Sequence, residues 1–353
     1  MSAAGGAGRS RRIEIRDAPR GAALAASVED FLAWLGGPTL LRVAGRDRSR
    51  TRALATLLHG NEPSGLRALH TFLRDERIPA TDVVCFVGAV EAACAAPGFA
   101  HRMLPGRRDL NRCFREPFAG AEGEVAHEAL RLLREASPDA LVDLHNNTGH
   151  NPVYGVGTVA DAASLNLTAL FGERFVVTDL RLGALVEATA NDFPSVTIEC
   201  GRAGDPAADA AALRGLEAYL GLGALETRRV AAQRMAVLCD PVRVSVRAGV
   251  RLAFGTAPAE GVDLTLSADI DRHNFSPVMP GAPVGWVAAG VDWPLEARGA
   301  DGAEISHDLF VAHDGRLETR RGMIPIMMTT DAAVALADCL FYVVQSREDI
   351  ARG

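Results

Sequence analysis

His59 and Glu62 stand three positions apart in Leu57-Leu58-His59-Gly60-Asn61-Glu62-Pro63-Ser64-Gly65, an imidazole and a carboxylate pinned by one tight turn. A neutral ring nitrogen and a carboxylate oxygen suit a borderline cation such as Zn²⁺, whose catalytic sites take three protein ligands and keep one position open for water. A second imidazole, His145, follows in Asp143-Leu144-His145-Asn146-Asn147-Thr148 and completes a two-His-one-Glu set. A lone histidine is more often a satisfied polar residue than a ligand, but two histidines and a glutamate, all at strand ends, are harder to dismiss. Asp143 shares a strand face with His145, where it either orients an imidazole or serves as a plain structural acid. Glu199, in Val196-Thr197-Ile198-Glu199-Cys200-Gly201, is a carboxylate at the end of an otherwise apolar run. Burying an unpaired charge is costly, so such a residue is functional or ion-paired.

These residues need a scaffold that brings distant segments to one edge. Arg52 to Leu58 reads as a buried strand that stops at the His59 turn, after which Leu66, Leu69 and Leu73 begin a helical period running to about Arg77. Ala140 to Leu144 is a short strand ending at His145, and Val196 to Cys200 is another. In open α/β sheets ligands bind outside the carboxyl ends of the strands, so parallel neighbours would bring both imidazoles to the same edge. The same reading gives strands at Thr39 to Ala44, Asp82 to Val90, Val153 to Val156 and Phe175 to Thr178. Gly45 to Arg50 is a polar turn. Helices are expected at Val28 to Leu35 behind a Ser27 cap, at Glu122 to Ser137, near Ala160 to Phe171, and from Asp205-Pro206 to about Leu220. A loop from about Ala95 to Pro117 is long enough to be functional.

Beyond Gly223 a linker helix is expected to give way to short strands between Gly, Pro and Asp: Val242 to Val246, Val262 to Leu266, Val284 to Ala288, Leu309 to Ala312 and Ile324 to Met328. The predicted fold is α/β, a mixed, mostly parallel sheet flanked by helices, with a smaller C-terminal β-rich domain. The division is a flexible N-terminal extension over 1–37, an α/β domain over 38–225 and a β-rich domain over 226–353.

Composition narrows the chemistry. The 353 residues are 48% hydrophobic and 23% charged, ordinary for a globular chain with a large core. No window is apolar enough to span a membrane, and the first twenty residues carry five arginines without an apolar stretch, so a cytoplasmic protein is expected. A net charge of −7 without a basic run speaks against nucleic acid or an anionic membrane as partner. Six cysteines without CxxC spacing argue against a disulfide framework or a structural zinc knuckle. All 37 basic residues are arginine. The absence of lysine removes Schiff-base chemistry and the P-loop at once, and leaves arginine, a two-pronged carboxylate holder, as the permanent cation.

The ordered motifs HGNEPSG, RRDLNRCF, DLHNNT and TIECG, over roughly residues 39 to 225, resemble the succinylglutamate desuccinylase and aspartoacylase family of zinc carboxypeptidase-like proteins. That resemblance implies one Zn²⁺ per chain on His59, Glu62 and His145, with Glu199 as general base. It also implies that Asn111 and Arg112 hold a substrate carboxylate, and that an arginine shortly before them stabilises the oxyanion. Arg102 fits that role best, with Arg107 and Arg108 close by in sequence. Two departures stand out. Family members resemble one another in an arginine about ten residues before the catalytic glutamate, where this chain reads Glu187-Ala188-Thr189-Ala190-Asn191. Aspartate or succinyl specificity is therefore not carried over. The family's late substrate-side tyrosine has no assigned counterpart, since Tyr342 is the sole tyrosine beyond Tyr219.

The expected activity is zinc-dependent hydrolysis of an amide in a small N-acyl amino acid or similar carboxylate-bearing compound. The nucleophile and the carbonyl polarisation come from the ion. A metallocarboxypeptidase acting on a short peptide would use the same residues, and access decides between the two: a β domain folded over the site restricts it to small substrates. A non-catalytic binder on a hydrolase fold is the third reading, disfavoured by Glu199. A homo-oligomer is compatible with the sequence. Gly155-Val156-Gly157-Thr158 imitates a dinucleotide fingerprint and reads as a tight turn, and no GxSxG elbow is present. His70 shares a helix face with Leu66 and Leu73, as a packed histidine would. His127 is expected to be exposed, and of the loop histidines His150 alone lies near a motif.

Overall fold

The computed structural model describes residues 12–225, 235–299, 302–337 and 339–346. Its frame is a sheet of twelve strands among the described residues, the first eight being β1 (Glu14–Asp17), β2 (Thr39–Val43), β3 (Asp47–Thr56), β4 (Thr81–Val87), β5 (Leu141–Asn147), β6 (Tyr154–Gly157), β7 (Arg174–Val177) and β8 (Ser195–Arg202). Strand β9 (Ala236–Val246) continues it beyond β7. The central strands β4, β3, β5 and β8 run parallel, whereas β2 on β4 and β6 on β8 are antiparallel. Residues Arg52 to Thr56 and Leu141 to Asn146 are buried without a break. That is the pattern of strands covered on both faces.

Helices α1 (Val28–Leu35), α2 (Ser64–Arg74), α3 (Val90–Cys94), α4 (Gly120–Ala136), α5 (Ala162–Thr168), α6 (Leu185–Thr189) and α7 (Pro206–Gly221) supply the covers. One apolar core joins α1, α2 and α7 to one face of the sheet, through Phe31, Leu69 and Leu216 among others. A second joins α4 and α6 to the opposite face through Leu130, Leu133 and Leu185. The caps follow the sequence: Ser27 accepts from the Asp30 N–H at 3.1 Å, and Asp205 from the Ala207 N–H at 2.8 Å with Pro206 in the first helical turn.

The later chain contributes to two sheets. Strands β10 (Leu252–Gly255), β11 (Leu264–Ser267), β12 (Pro283–Val287), β14 (Phe310–His313) and β15 (Arg316–Thr319) form a five-stranded sheet with its own core. Strands β13 (Leu295–Ala297), β16 (Ile324–Ile326) and β17 (Phe341–Ser346) return to the large sheet, β13 and β17 both pairing with β9. A helix near the end, Ala332–Ala337, lies between β16 and β17.

Several expectations need correction. Residues Glu14 to Asp17, expected in a flexible lead, pair in parallel with β2; their alternation is too short and too exposed to read as a strand from sequence. β3 begins at Asp47, inside the expected turn. β4 stops at Val87, and Val90 opens α3. Gly155 to Gly157 is strand rather than turn. Thr168 and Phe175 crowd these glycines so closely that a Cβ at Gly155 would meet Thr168 Oγ1 at 2.2 Å. Strands β10, β13, β15 and β17 carried no distinctive pattern. The linker helix expected after Gly223 falls mainly on 226–234, outside the described residues.

Candidate active site

At the end of β3 the chain turns sharply. Leu57, fully buried, takes a left-handed φ of 56°. That conformation costs a residue with a side chain about 1–2 kcal/mol and redirects the chain toward His59. Gly60 then passes so close to other backbone that a Cβ there would lie 2.6 Å from Ala93 N and His101 O. The Glu62 N–H donates to the His59 carbonyl at 3.2 Å, closing the turn and bringing the two side chains together. The spacing in this motif is thus a packing requirement as well as a chemical one.

His59 Nδ1 lies 2.7 Å from Glu62 Oε1, and His145 Nδ1 lies 2.7 Å from Glu62 Oε2. One ligand atom from each of the three side chains falls within 4.8 Å of the others, and all three residues are buried. The outer ring nitrogens are also engaged. His145 Nε2 meets Asp143 Oδ2 at 2.8 Å, and His59 Nε2 meets Asp109 Oδ1 at 3.0 Å. Each outer Nε2 faces a carboxylate, an arrangement that would leave both Nδ1 lone pairs to a cation bound beside Glu62. Two imidazoles and one carboxylate, each imidazole held from behind by an acid, are a donor set that fits a zinc-class cation. Ca²⁺ and Mg²⁺ would call for oxygen donors throughout.

Burial and charge compete at every group. Burial favours a neutral Glu62, yet His59 and His145 overcome it and hold the carboxyl well below its usual range. Burial likewise works against charge on Asp109, but His59 and Arg102 keep it ionised far into acid. At His145 burial opposes the imidazolium, and the flanking Asp143 and Glu62 carboxylates together outweigh it, raising the pKa well above the ordinary value. Glu199 goes the other way. Burial, with Glu62 adding to it against the pull of His145, raises it to about 7.

Glu199 is the β8 partner of His145 across the β5–β8 ladder and of Tyr154 across β8–β6, so it emerges on the same side of the sheet as the cluster. It is 7% exposed, and its Oε2 has no hydrogen-bond partner. Arg102 sits on the other flank. Its Nε and Nη2 grip Asp109 Oδ2 at 3.0 and 2.8 Å, and its Nη1 lies 3.5 Å from Glu62 Oε1. Arg107 turns instead to Glu122 at 2.5 Å and Arg108 to the Ala119 carbonyl at 2.6 Å. Of the three neighbouring arginines, Arg102 is therefore the one at the cluster. Asn111 and Arg112 border the same cavity; Asn111 Oδ1 accepts from the Leu185 N–H at 3.0 Å, and Arg112 donates to the Asn111 carbonyl at 3.0 Å.

His59, Glu62, His145 and Glu199 open into a cavity of about 180 Å³. As roughly 10–15 Å³ on this scale accommodates one water, it has room for a small organic molecule. Its roof comes from the far end of the chain: Ile326, Met327, Thr329 and Tyr342. The roof is fastened to the segment after His145 by Thr148 Oγ1 to Thr329 Oγ1 at 2.9 Å and by the Met327 N–H to Asn151 Oδ1 at 3.0 Å. His150 holds Asp271 Oδ2 at 2.8 Å and is no part of the cluster, while His70 is packed and donates from Nε2 to the Ala25 carbonyl at 2.9 Å. His127 is exposed and stacks on Phe118.

Sequence reasoning missed Asp109 and the roof. Asp109 lies inside the RRDLNRCF motif, but its evident local task is to accept the Asn111 N–H at 2.8 Å, and nothing in the sequence connects it to an imidazole fifty positions earlier. Tyr342 gave no signal beyond being a late tyrosine.

Residues 50–218 match the model of the succinylglutamate desuccinylase/aspartoacylase catalytic domain. Among curated proteins none matches the sequence. The fold is similar to that of a succinylglutamate desuccinylase/aspartoacylase from Rhodobacter sphaeroides, with a TM-score of 0.57 and 19% identity over 86% of this chain and 88% of that one. A succinylglutamate desuccinylase from Vibrio parahaemolyticus gives 0.55 and 14% identity over 87% and 86%. Murine aminoacylase 3 gives 0.51 and 18% identity over 86% and 97%. At these identities the structural likeness is one of fold, and the sequence match over 50–218 carries the assignment. Residues 50–218 thus form a catalytic domain of the succinylglutamate desuccinylase/aspartoacylase family.

Proposed function

We propose that the protein is a zinc-dependent deacylase that hydrolyses the amide of a small N-acyl amino acid or similar carboxylate-bearing compound. The observation that carries this reading is the convergence of His59, Glu62 and His145, with Glu199 alongside, on one roofed cavity. His59, Glu62 and His145 hold one Zn²⁺, which when bound supplies Lewis acidity and a nucleophile at neutral pH. Glu199, raised by burial and without a hydrogen-bond partner at Oε2, takes a proton from the attacking water and passes it to the leaving amine. Arg102, fixed by Asp109 beside the cluster, stabilises the developing oxyanion. Asn111 and Arg112 receive the substrate carboxylate and so decide which amide lies over the ion. A cavity of about 180 Å³ lined in part by Ile326, Met327 and Thr329 favours a small substrate over a peptide chain.

Turnover of a panel of N-acyl amino acids and short peptides, by zinc-loaded and chelator-stripped protein, tests the reading. Hydrolysis of N-acyl amino acids, lost on stripping and regained with zinc, is expected. Hydrolysis unaffected by stripping, or confined to peptides, would contradict it.

A further inference from the structure

The cavity has two ends of opposite character. Its cationic side chains, Arg102 and Arg112, both lie on the segment that flanks the His-Glu-His cluster. Away from that cluster the lining changes. Thr197, two residues before Glu199 on β8, stands opposite Val156 on β6, and Val156 stands opposite Val176 on β7. Strand partners share a face, so Thr197, Val156 and Val176 form a row leading away from Glu199. Leu180 and Ile326 pack in one apolar cluster with Val156 and Val176, and Val186 and Val334 line the same cavity.

The geometry points to a substrate with one carboxylate and, on the other side of its amide, an uncharged apolar group seated in the trough of Val156, Val176, Leu180, Val186, Ile326 and Val334. This inference rests on the deacylase reading above and narrows its substrate class. Among the described residues, the cations that line the cavity are Arg102 and Arg112, both on the segment beside the cluster, and none of the trough residues is one. The charged group that does line this side is Glu187, whose two carboxylate oxygens accept the Leu182 and Gly183 N–H groups at 3.0 and 2.9 Å. Its negative charge repels another anion, and burying an unpaired carboxylate among valines is costly. An aliphatic or aromatic group, by contrast, gains about fourfold in binding for each methylene it takes out of water. The trough also keeps its shape: Asn274 fastens the roof by accepting from the Met328 N–H at 2.8 Å and donating to the Met328 carbonyl at 3.0 Å.

Calorimetric binding of 4-methylpentanoate and 3-phenylpropanoate against succinate and glutarate, on the zinc-loaded full chain, tests this directly. The apolar monocarboxylates are expected to bind at least tenfold more tightly, and Val156→Ser or Val334→Ser to reduce that ratio at least fivefold with an unchanged circular dichroism spectrum. Dicarboxylates binding as well as or better than the apolar acids would overturn the inference, as would two folded variants with the ratio intact. In turnover, N-hexanoylglycine against N-acetylglycine places the apolar group on the acyl side, and N-acetyl-leucine against N-acetylglycine places it on the amine side. A gain in the first pair supports the inference, and a gain confined to the second, or in neither, overturns it. Tight apolar binding with no amide hydrolysed would refute the deacylase reading and leave the trough standing.

Discussion

The two imidazoles of the site make the same pair of contacts, Nδ1 to Glu62 and Nε2 to a carboxylate, but the carboxylates come from different kinds of structure. Asp143 lies two residues before His145 on β5, wholly buried, and moves only if the sheet moves. Asp109 reaches His59 from the segment between α3 and α4, and is itself held by Arg102 and by the Asn111 N–H. One half of the proposed metal site is therefore built into the core of the fold. The other half depends on a surface segment folding onto it, and the same fold-back brings Arg102, Asn111 and Arg112 to the cavity. Metal retention and substrate handling are separable on the Asp143 side and joined on the Asp109 side.

That contrast can be broken at three points. The largest effect is expected from Arg102→Ala, which removes the oxyanion donor and loosens Asp109 together: kcat/KM should fall by about 10²–10³ or more. A fall of less than tenfold would remove Arg102 from the reaction. Next, Asp143→Asn and Asp109→Asn should each weaken zinc binding by about 10–100-fold, the usual cost of losing an acid behind a ligating imidazole. At saturating zinc only the Asp109 variant should retain a depressed kcat, because only it also disturbs Arg102. Equal kcat in the two metal-saturated variants would erase the distinction drawn here.

The smallest effect is on pH. In the metal-free site His145 keeps its proton well above the ordinary range, because Asp143 and Glu62 outweigh burial. Zinc must displace that proton, so affinity should weaken as pH falls, by about tenfold per unit for each proton released. Calorimetry in buffers of differing ionisation enthalpy reads the release, and a value of zero at neutral pH would contradict the arrangement at His145.

What could be read from the sequence follows the same contrast. His145 and Asp143 share one short strand, so period-two geometry alone put them on one face, and His59 with Glu62 shared one turn. Fold class was legible because the central strands are continuous apolar runs punctuated by helical periods. Contacts between segments were not legible. Nothing local to Asp109 says that it faces His59, and Arg102 was favoured over Arg107 and Arg108 by the family resemblance rather than by any local signal that the latter two turn to Glu122 and Ala119. The roof was invisible for a similar reason. Strand β17 pairs with β9 about a hundred positions earlier, and short strands of that kind owe their partners to the tertiary fold rather than to local pattern.

The central claim is that three side chains hold the ion while a fourth moves the proton. Metal content and turnover of Glu199→Gln, measured beside His145→Ala, test it most directly. Glu199→Gln is expected to keep one zinc per chain and lose about 10³-fold or more in kcat, within the range assigned to a positioned acid–base, while His145→Ala loses both metal and turnover. A Glu199→Gln protein that retains zinc and full activity would contradict the account.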